Sequence, residues 1–178
     1  MKHDEEYLKS TIRSIPNFPK KGIVFRDITT LLKDPKALRL VIDLFYEEYR
    51  DKSISKVVSV ESRGFIFGAA LAYKLQAGFL PIRKKGKLPA DTVQQQYALE
   101  YGIDSMEIHT DAIQPGDRII VHDDLLATGG TIEAACKLVE RLEGEIVGLS
   151  FLIELSFLNG RERIKQYPIQ TLITYDSE

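Results

Sequence analysis

The chain has 178 residues, of which 44% are hydrophobic, and this suffices for one domain with a core of ordinary size. Its 24 Lys and Arg nearly balance 26 Asp and Glu, and the formal charge of -2 gives no basic field that would attract nucleic acid. The single cysteine excludes an intramolecular disulfide, and neither a membrane span nor the apolar core of a secretory signal stands out. We therefore expect a cytoplasmic protein with no membrane or nucleic-acid partner.

Short apolar runs alternate along the chain with segments of helical spacing. Asp34-Pro35 opens an amphipathic helix, and two further segments, RGFIFGAALAYKLQAG and TIEAACKLVERLEG, predict helices that end at Gly78 and Gly144. The runs KVVSV, FLPIR, RIIVH, IVGLSFLIE and IQTLITY predict strands. This alternation predicts an α/β fold with an open, mainly parallel sheet and helices on both faces.

The segment from Lys84 to Asp117 departs from the alternation. Residues 93–101 alternate large and small or polar side chains with a period of two, which predicts a strand. The run MEI, after a turn at Gly102, predicts its hairpin partner. An insertion of this length in a compact domain is more often a lid or a binding loop than a passive connection.

The stretch RIIVHDDLLATGGT combines a strand end, two carboxylates and a glycine-threonine turn that leads into a helix. Glycines allow backbone N–H groups to approach an anion closely, the hydroxyls of Thr128 and Thr131 add donors, and a helix N-terminus favours negative charge. We therefore expect this turn to hold a phosphate. A Lys after the glycines and a GxGxxG pattern are both absent, which argues against a Walker A loop and a dinucleotide fingerprint.

Asp123 and Asp124 would repel that phosphate if they touched it. Carboxylates accept hydrogen bonds from pairs of hydroxyl groups, so the two acids fit a polyol beside the phosphate. Together the groups predict a site for a ribose 5-phosphate. On its own, an Asp-Asp pair near a strand end would fit a helix N-cap as well.

Five motifs, in order and in register, give the chain its family resemblance. VHDDLLATGGT resembles the phosphoribosyl-pyrophosphate motif of type I phosphoribosyltransferases, and GIVFRDIT, ESRGFIFG, RKKGKLP and YALEYG are similar to motifs of the adenine phosphoribosyltransferase family. The resemblance covers nearly the whole chain. It implies that adenine and phosphoribosyl pyrophosphate give AMP and pyrophosphate, with Mg²⁺ bound mainly through the pyrophosphate and water. It also implies a homodimer and a single domain, 1–178, with a base-binding segment, 1–33, and a mobile catalytic arm, 84–117.

The resemblance also implies roles for residues that bind phosphoribosyl pyrophosphate. Asp123 and Asp124 would bind the ribose hydroxyls, and the 5-phosphate would lie in a loop formed by Ala127, Thr128, Gly129, Gly130 and Thr131. Pyrophosphate would be held by Glu61, Ser62, Arg63, Arg83, Lys84 and Lys87, with some of these cations acting across the dimer interface. Glu61–Ser62 is the expected position of a cis peptide bond, and many relatives have Asp where this chain has Glu61.

Base recognition and catalysis complete the implied site. Backbone groups of Val24 and Arg26 would read the edge of adenine, and Phe25 would stack on its ring. Glu100 would handle the proton of the purine, with Tyr101 beside the reaction centre. Without the resemblance, Phe25 fits a core position, Arg26 a surface cation paired with Asp27, and Glu100 a polar residue on a hairpin face.

Two other functions stay open on sequence alone. One is transfer to another purine, such as hypoxanthine, guanine or xanthine, although 6-oxopurines present the reverse donor-acceptor edge. The other is a non-catalytic sensor of phosphoribosyl pyrophosphate, which would need a nucleic-acid-binding element that we do not find in the sequence. We assign no site role to His3, His109, His122 or Cys136, and no Cys/His cluster predicts zinc.

Overall fold

The computed structural model describes residues 2–99 and 102–178. The helices of this part of the chain are α1 (Lys2–Thr11), α2 (Thr29–Leu32), α3 (Pro35–Tyr49), α4 (Gly64–Leu75) and α5 (Gly130–Arg141). The strands are β1 (Arg13–Pro16), β2 (Val24–Asp27), β3 (Lys56–Val60), β4 (Gly78–Lys84), β5 (Thr92–Leu99), β6 (Gly102–His109), β7 (Arg118–Leu126), β8 (Glu145–Leu155) and β9 (Ile169–Tyr175). Within these residues, no helix has the length and apolar character that crossing a bilayer requires.

Seven strands form one sheet in the order β5-β6-β4-β3-β7-β8-β9, and β1 pairs with β2 as a separate antiparallel hairpin. Within this sheet the neighbouring pairs β4–β3, β3–β7, β7–β8 and β8–β9 are parallel. The central strands are buried on both faces, which explains why they read as continuous apolar runs in the sequence. The predicted α/β fold with a mainly parallel sheet is confirmed.

The two central strands β3 and β7 are neighbours whose connections run in opposite directions. Helix α4 carries the chain from β3 to β4 on one side, and α5 carries it from β7 to β8 on the other. Because parallel crossovers are right-handed, the two helices lie on opposite faces of the sheet. Such a reversal leaves a crevice beyond the carboxyl ends of β3 and β7, where α/β folds bind their ligands.

Both faces of the sheet carry a hydrophobic core. On one face, residues from α1, α3 and α4 pack together, among them Leu8, Phe45 and Phe67. On the other, α5 packs with the β5–β6 hairpin, which contributes Met106 and Ile108. Helix α3 begins as the Asp34-Pro35 pair predicts, since the Asp34 carboxylate accepts hydrogen bonds from the N–H groups of Lys36 and Ala37.

The predicted hairpin is confirmed and extends the sheet. Strands β5 and β6 pair antiparallel from Thr92 to Leu99. Two residue pairs, Arg83 with Glu107 and Lys84 with Met106, join β6 to the end of β4. The base of the hairpin therefore lies against the end of the strand that carries the cationic run RKKGK.

Some predicted boundaries were wrong. Helices α4 and α5 end before the glycines, because Gln76 and Glu143 adopt the left-handed conformation at their C-termini, with φ of 57° and 62°. Strand β7 continues past His122 to Leu126, where Leu125 and Leu126 pair with Ile153 and Glu154 of β8. The two aspartates thus belong to a strand, and the turn is shorter than the sequence indicated.

Candidate active site

The crevice beyond β3 and β7 contains two adjoining cavities, of about 290 Å³ and 210 Å³. The first is lined by Glu61, Ser62, Arg63, Arg83, Lys84, Tyr97, Asp123, Asp124 and Thr131, together with apolar side chains. The second follows residues 125–132 and shares Arg63, both aspartates and Thr131 with the first. A larger groove of about 830 Å³ lies between α1 and α3, but none of its described lining residues belongs to a strand. We therefore place the site in the crevice beyond the carboxyl ends of β3 and β7.

The acidic pair stands where the two cavities meet. Asp124 is buried, and its Oδ2 lies 2.9 Å from Nε of Arg63. The half-buried Asp123 accepts a hydrogen bond of 2.9 Å at Oδ1 from the N–H of Asp124. A Cβ atom at position 64 would lie 3.0 Å from that same Oδ1, so only glycine lets the start of α4 approach the carboxylate this closely.

Burial and mutual repulsion make the two carboxyl groups hard to ionise. Burial raises the pKa of Asp123 well above its ordinary value, and the neighbouring charge of Asp124 raises it further. Burial also raises the pKa of Asp124, although the Arg63 guanidinium opposes this shift. A pair that is costly to keep ionised marks a functional position rather than a stabilising one.

The glycine-threonine turn lies at the N-terminus of α5. Gly129 precedes the helix with φ of 83°, and its carbonyl accepts from the N–H of Glu133. The first N–H groups of a helix have no acceptors within the helix, so those of Gly130 and Thr131 are available to an anion. The second cavity lies along this turn. The site therefore offers an anion position on one side of the acidic pair.

The ESRG segment forms the other side. The Glu61–Ser62 peptide bond is cis, as the resemblance implied. Glu61 receives two hydrogen bonds from the Arg83 guanidinium, at 2.8 Å and 3.2 Å, and one from the N–H of Lys84. The bonds from Arg83 hold the pKa of Glu61 below its ordinary value, against the effect of burial. Arg83, which the resemblance assigns to pyrophosphate, is thus paired with Glu61.

Two acidic residues that the sequence did not single out organise the cationic run. Asp104 on β6 lies 3.2 Å from Nζ of Lys84 and 3.3 Å from the Tyr97 hydroxyl. Glu107, which is 2% exposed, accepts from the N–H groups of Lys87 and Leu88 at 3.0 Å and 3.1 Å. The only sequence signal for them was their place in the predicted hairpin, since their partners depend on how that hairpin meets β4.

The base-binding segment is strand β2. The Phe25 ring lies 5.2 Å from the Phe18 ring and 5.2 Å from the Arg63 guanidinium, so β2 reaches the edge of the crevice. Arg26 stacks on Tyr175 at 3.9 Å and donates to the Ser14 hydroxyl. The sequence alternative in which Arg26 pairs with Asp27 is wrong, because Asp27 pairs with Arg13 and Thr29.

The C-terminal residues also border this strand. The Glu178 carboxylate accepts from the N–H of Val24 at 2.7 Å, and the Ser177 carbonyl lies 3.4 Å from the Arg26 side chain. The N–H of Phe18 donates to the carbonyl of Ile23, so the backbone groups of Ile23 and Phe25 face β1. Backbone direction alternates along a strand, so the backbone groups of Val24 and Arg26 point to the opposite edge of β2. Sequence reasoning missed Glu178, and no local pattern pointed to it.

Glu100 and Tyr101 lie outside the described residues. His122 is fully buried, and it shares a hydrogen bond with the Ser150 hydroxyl and packs against Phe45 and Phe67. Burial lowers its pKa to about 3, so it is a neutral part of the core. Among the described residues, no cluster of three His, Cys, Asp or Glu side chains could hold a metal ion.

Comparisons with known proteins agree with this geometry. Residues 27–174 match the sequence model of the phosphoribosyl transferase domain. A relative from Alkaliphilus metalliredigens, described as adenine phosphoribosyltransferase, is 58% identical over 168 residues, 94% of this chain and 99% of the relative. The chain belongs to the adenine phosphoribosyltransferase family.

Solved structures of the family share the whole fold. The crystal structure of adenine phosphoribosyltransferase from Rhodothermus marinus is 52% identical, covers 98% of this chain and all of its own, and gives a TM-score of 0.93. That from Saccharomyces cerevisiae is 40% identical over 97% of this chain and 99% of its own, with a TM-score of 0.92. The domain match begins at Asp27, so the Val24–Arg26 base segment lies outside its range.

Proposed function

We propose that the chain transfers a phosphoribosyl group from phosphoribosyl pyrophosphate to adenine, which gives AMP and pyrophosphate in purine salvage. The observation that carries this proposal is the acidic pair between two anion positions. The α5 turn lies on one side of Asp123 and Asp124, and Arg63 with the β4 cations lies on the other. This arrangement fits a sugar with one phosphate group at C5 and a diphosphate at C1.

Asp123 and Asp124 would hold the ribose hydroxyls. In the reaction the C1–O bond to pyrophosphate breaks while N9 of adenine attacks from the opposite face, so the configuration at C1 inverts. Positive charge develops on the ring as the bond breaks, and an ionised carboxylate close to the ring stabilises it. The Ala127–Thr131 turn would fix the other end of the sugar through the 5-phosphate.

The leaving pyrophosphate requires cations. Arg63, Arg83 and Lys84 line the region that it would occupy, together with Glu61 and Ser62. Lys87 lies behind them, and its carbonyl accepts a hydrogen bond from Arg83. Arg83 and Lys84 are paired with Glu61 and Asp104, so substrate binding would exchange these partners for phosphate oxygens. Oδ2 of the buried Asp124 lies 2.9 Å from Nε of Arg63, but the geometry of this ion pair does not make a hydrogen bond, so the oxygen would suit Mg²⁺ held mainly by the substrate. When bound, Mg²⁺ neutralises charge on the pyrophosphate.

Adenine would bind along the outer edge of β2. Since Glu178 engages the N–H of Val24, the available pair is the carbonyl of Val24 and the N–H of Arg26. That pair accepts from the adenine amino group and donates to N1, whereas 6-oxopurines present the reverse pattern. The structure of the S. cerevisiae relative is described as complexed with an imino-altritol bisphosphate and adenine, so that protein binds both ligands at once. Phe25 would stack on the purine ring.

The hairpin arm, 84–117, would move over the bound substrates and exclude water that could hydrolyse the sugar. Glu100 would then handle the purine proton, with Tyr101 beside it. We expect wild type to form AMP and pyrophosphate in equal amounts, and Glu100→Gln to bind both substrates but turn over about 10²–10⁴-fold more slowly. Full activity of Glu100→Gln would remove that role. Wild type that binds both substrates without consuming them would be a sensor, not an enzyme.

We also propose a homodimer. Helix α4 starts directly after Arg63. Its outer face exposes two large hydrophobic side chains, Ile66 (41%) and Tyr73 (87%). A second copy on this face would lie beside the pyrophosphate residues, so the partner could supply part of their cation set.

The double variant Ile66→Asp/Tyr73→Asp tests this interface. We expect it to sediment as a monomer with reduced activity, because two charges would be buried in the contact. Leu158→Asp is the matched control, since Leu158 is also exposed but lies in the short 3₁₀ helix after β8 and not on α4. This variant should remain a dimer. A double variant that stays dimeric would place the interface elsewhere.

We place the reaction in the cytoplasm. Cys136 is the only cysteine of the chain, and it is buried and free. An unpaired cysteine of this kind is typical of proteins in a reducing compartment. Detection of the activity in a cytosolic fraction would support this location, and recovery only from a membrane fraction would contradict it.

A further inference from the structure

The turn proposed to hold the 5-phosphate rests on a second backbone segment. A Cβ atom at Gly160 would lie 2.2 Å from the carbonyl oxygen of Ala127 and 3.1 Å from the backbone nitrogen of Gly129. A Cβ at Gly129 would in turn lie 2.6 Å from the carbonyl oxygen of Gly160. The two backbones therefore touch, and neither position has room for a side chain.

The segment behind the turn is a short 3₁₀ helix, Gly160–Arg163. A bidentate ion pair between Arg161 and Glu154 fixes it to β8. Nε and Nη2 of Arg161 contact the Glu154 carboxylate at 2.6 Å and 2.7 Å, and Thr171 bonds to both side chains at 3.0 Å. Glu154 is buried on β8, directly beside Leu126, the last residue of β7 before the turn.

The same segment also reaches the helix that the turn begins. Arg163 lies 3.5 Å from the carboxylate of Glu133, in the first turn of α5. Gly160 therefore supports the turn from behind, Arg161 fixes the segment to β8, and Arg163 links it to α5. None of these side chains lines either cavity, so their effect on a ligand must pass through the backbone of the turn.

We propose that Gly160 and Arg161 are positioning residues for the 5-phosphate, because they hold the backbone of Ala127–Thr131 in the conformation that aims its N–H groups at the anion. This inference rests on the proposed function. A methyl group at position 160 would push the Ala127 carbonyl away and turn the following N–H groups from a common point. Donors that are already in place lose less entropy when the phosphate binds. Displacement of the turn should therefore weaken binding of the 5-phosphate and leave binding of the pyrophosphate unchanged.

The test measures three ligands separately by calorimetry: ribose 5-phosphate, AMP, and pyrophosphate with Mg²⁺. For Gly160→Ala we expect Kd for ribose 5-phosphate and AMP to rise about 10- to 100-fold, as a misplacement of about 1 Å does elsewhere, while Kd for pyrophosphate stays unchanged. KM for phosphoribosyl pyrophosphate should rise and KM for adenine should not. Gly78→Ala is the control, since its Cβ would meet the flexible Lys56 side chain at 3.0 Å and make an ordinary contact with the Ser55 carbonyl at 3.7 Å.

Arg161→Met and Arg161→Lys provide a second series if Gly160→Ala does not fold. Arg161→Met removes the anchor and should weaken the same two ligands, whereas Arg161→Lys keeps a charge beside Glu154 and should recover part of the affinity. Equal losses for all three ligands, or unchanged binding of ribose 5-phosphate, would overturn the inference. Wild type that binds no ribose 5-phosphate would instead overturn the proposed function, and this inference with it.

Discussion

Asp123→Asn is expected to be more stable than wild type at pH 7 and nearly inactive. Burial and the Asp124 charge raise the pKa of Asp123, so its ionised form is a stability cost in the folded protein. The amide removes that charge, and its Oδ1 can still accept from the N–H of Asp124. We expect Tm to rise by about 2–4 °C, which corresponds to about 1 kcal/mol in a domain of this size. Loss of a carboxylate that would bind the ribose hydroxyls should lower kcat/KM by about 10²-fold or more.

The stability gain should depend on pH in a defined direction. A carboxyl group whose folded pKa is raised stabilises the fold below its unfolded pKa, and this contribution is lost as pH rises through the folded value. The advantage of Asp123→Asn should therefore be largest near neutral pH and shrink as pH falls toward the ordinary value of 3.8. Thermal unfolding at several pH values measures it. A variant that is less stable than wild type at pH 7 would contradict this assignment.

Asp117→Asn, just before the other end of β7, is the matched control. Burial acts to raise the pKa of Asp117, but hydrogen bonds from the N–H of Gln114 and the hydroxyl of Ser55 lower it overall. The charge at position 117 therefore stabilises the fold at pH 7, and this contribution is lost as pH falls through the lowered pKa. We expect Asp117→Asn to lower Tm and leave kcat/KM unchanged, whereas Asp123→Asn should raise Tm and lower kcat/KM.

Arg63→Met is expected to have the second large effect. Arg63 lines both cavities, pairs with Asp124 at 2.9 Å and faces Phe25. Its loss removes a cation from the pyrophosphate position and should lower kcat/KM by about 10²- to 10³-fold. It also leaves the buried Asp124 without its partner. Because Arg63 is partly exposed, we expect a loss of about 1–3 kcal/mol in unfolding free energy, below the value for a fully buried pair.

The double variant Arg63→Met/Asp124→Asn separates these two effects. Removal of the unpaired charge should restore most of the unfolding free energy in urea, while activity should remain low because both functional groups are absent. The loss in Arg63→Met alone should be larger at pH 8 than at pH 5, since the raised pKa of Asp124 leaves more of it ionised at the higher pH. Wild-type activity in Arg63→Met would remove the cation from the mechanism.

The sequence predicted the fold because the central strands β3, β7 and β8 are largely buried and carry continuous apolar runs. Those runs and the helices between them are local signals, and the hairpin arm was visible as a period-two pattern. The local signal failed for β7, which reads as ending at His122, because Asp123 and Asp124 are polar. Only the pairing with β8 shows that the strand continues to Leu126.

The site was predictable as a set of positions, but its internal contacts were not. The turn at Gly129 and the neighbouring aspartates follow from spacing and known chemistry. By contrast, the pair of Glu61 with Arg83 spans 22 residues, and the bond from Val24 to Glu178 spans 154. The contact of Gly160 with Ala127 is likewise tertiary. Such contacts depend on how strands and turns meet in space, which no local pattern specifies.

The most direct test of the central claim compares purines at fixed phosphoribosyl pyrophosphate and Mg²⁺. Initial rates with adenine, hypoxanthine, guanine and xanthine give kcat/KM for each base. The carbonyl of Val24 and the N–H of Arg26 predict turnover of adenine, with 6-oxopurines at least about 10³-fold less efficient because they would leave both backbone groups unpaired. Preferential turnover of hypoxanthine or guanine would contradict the account.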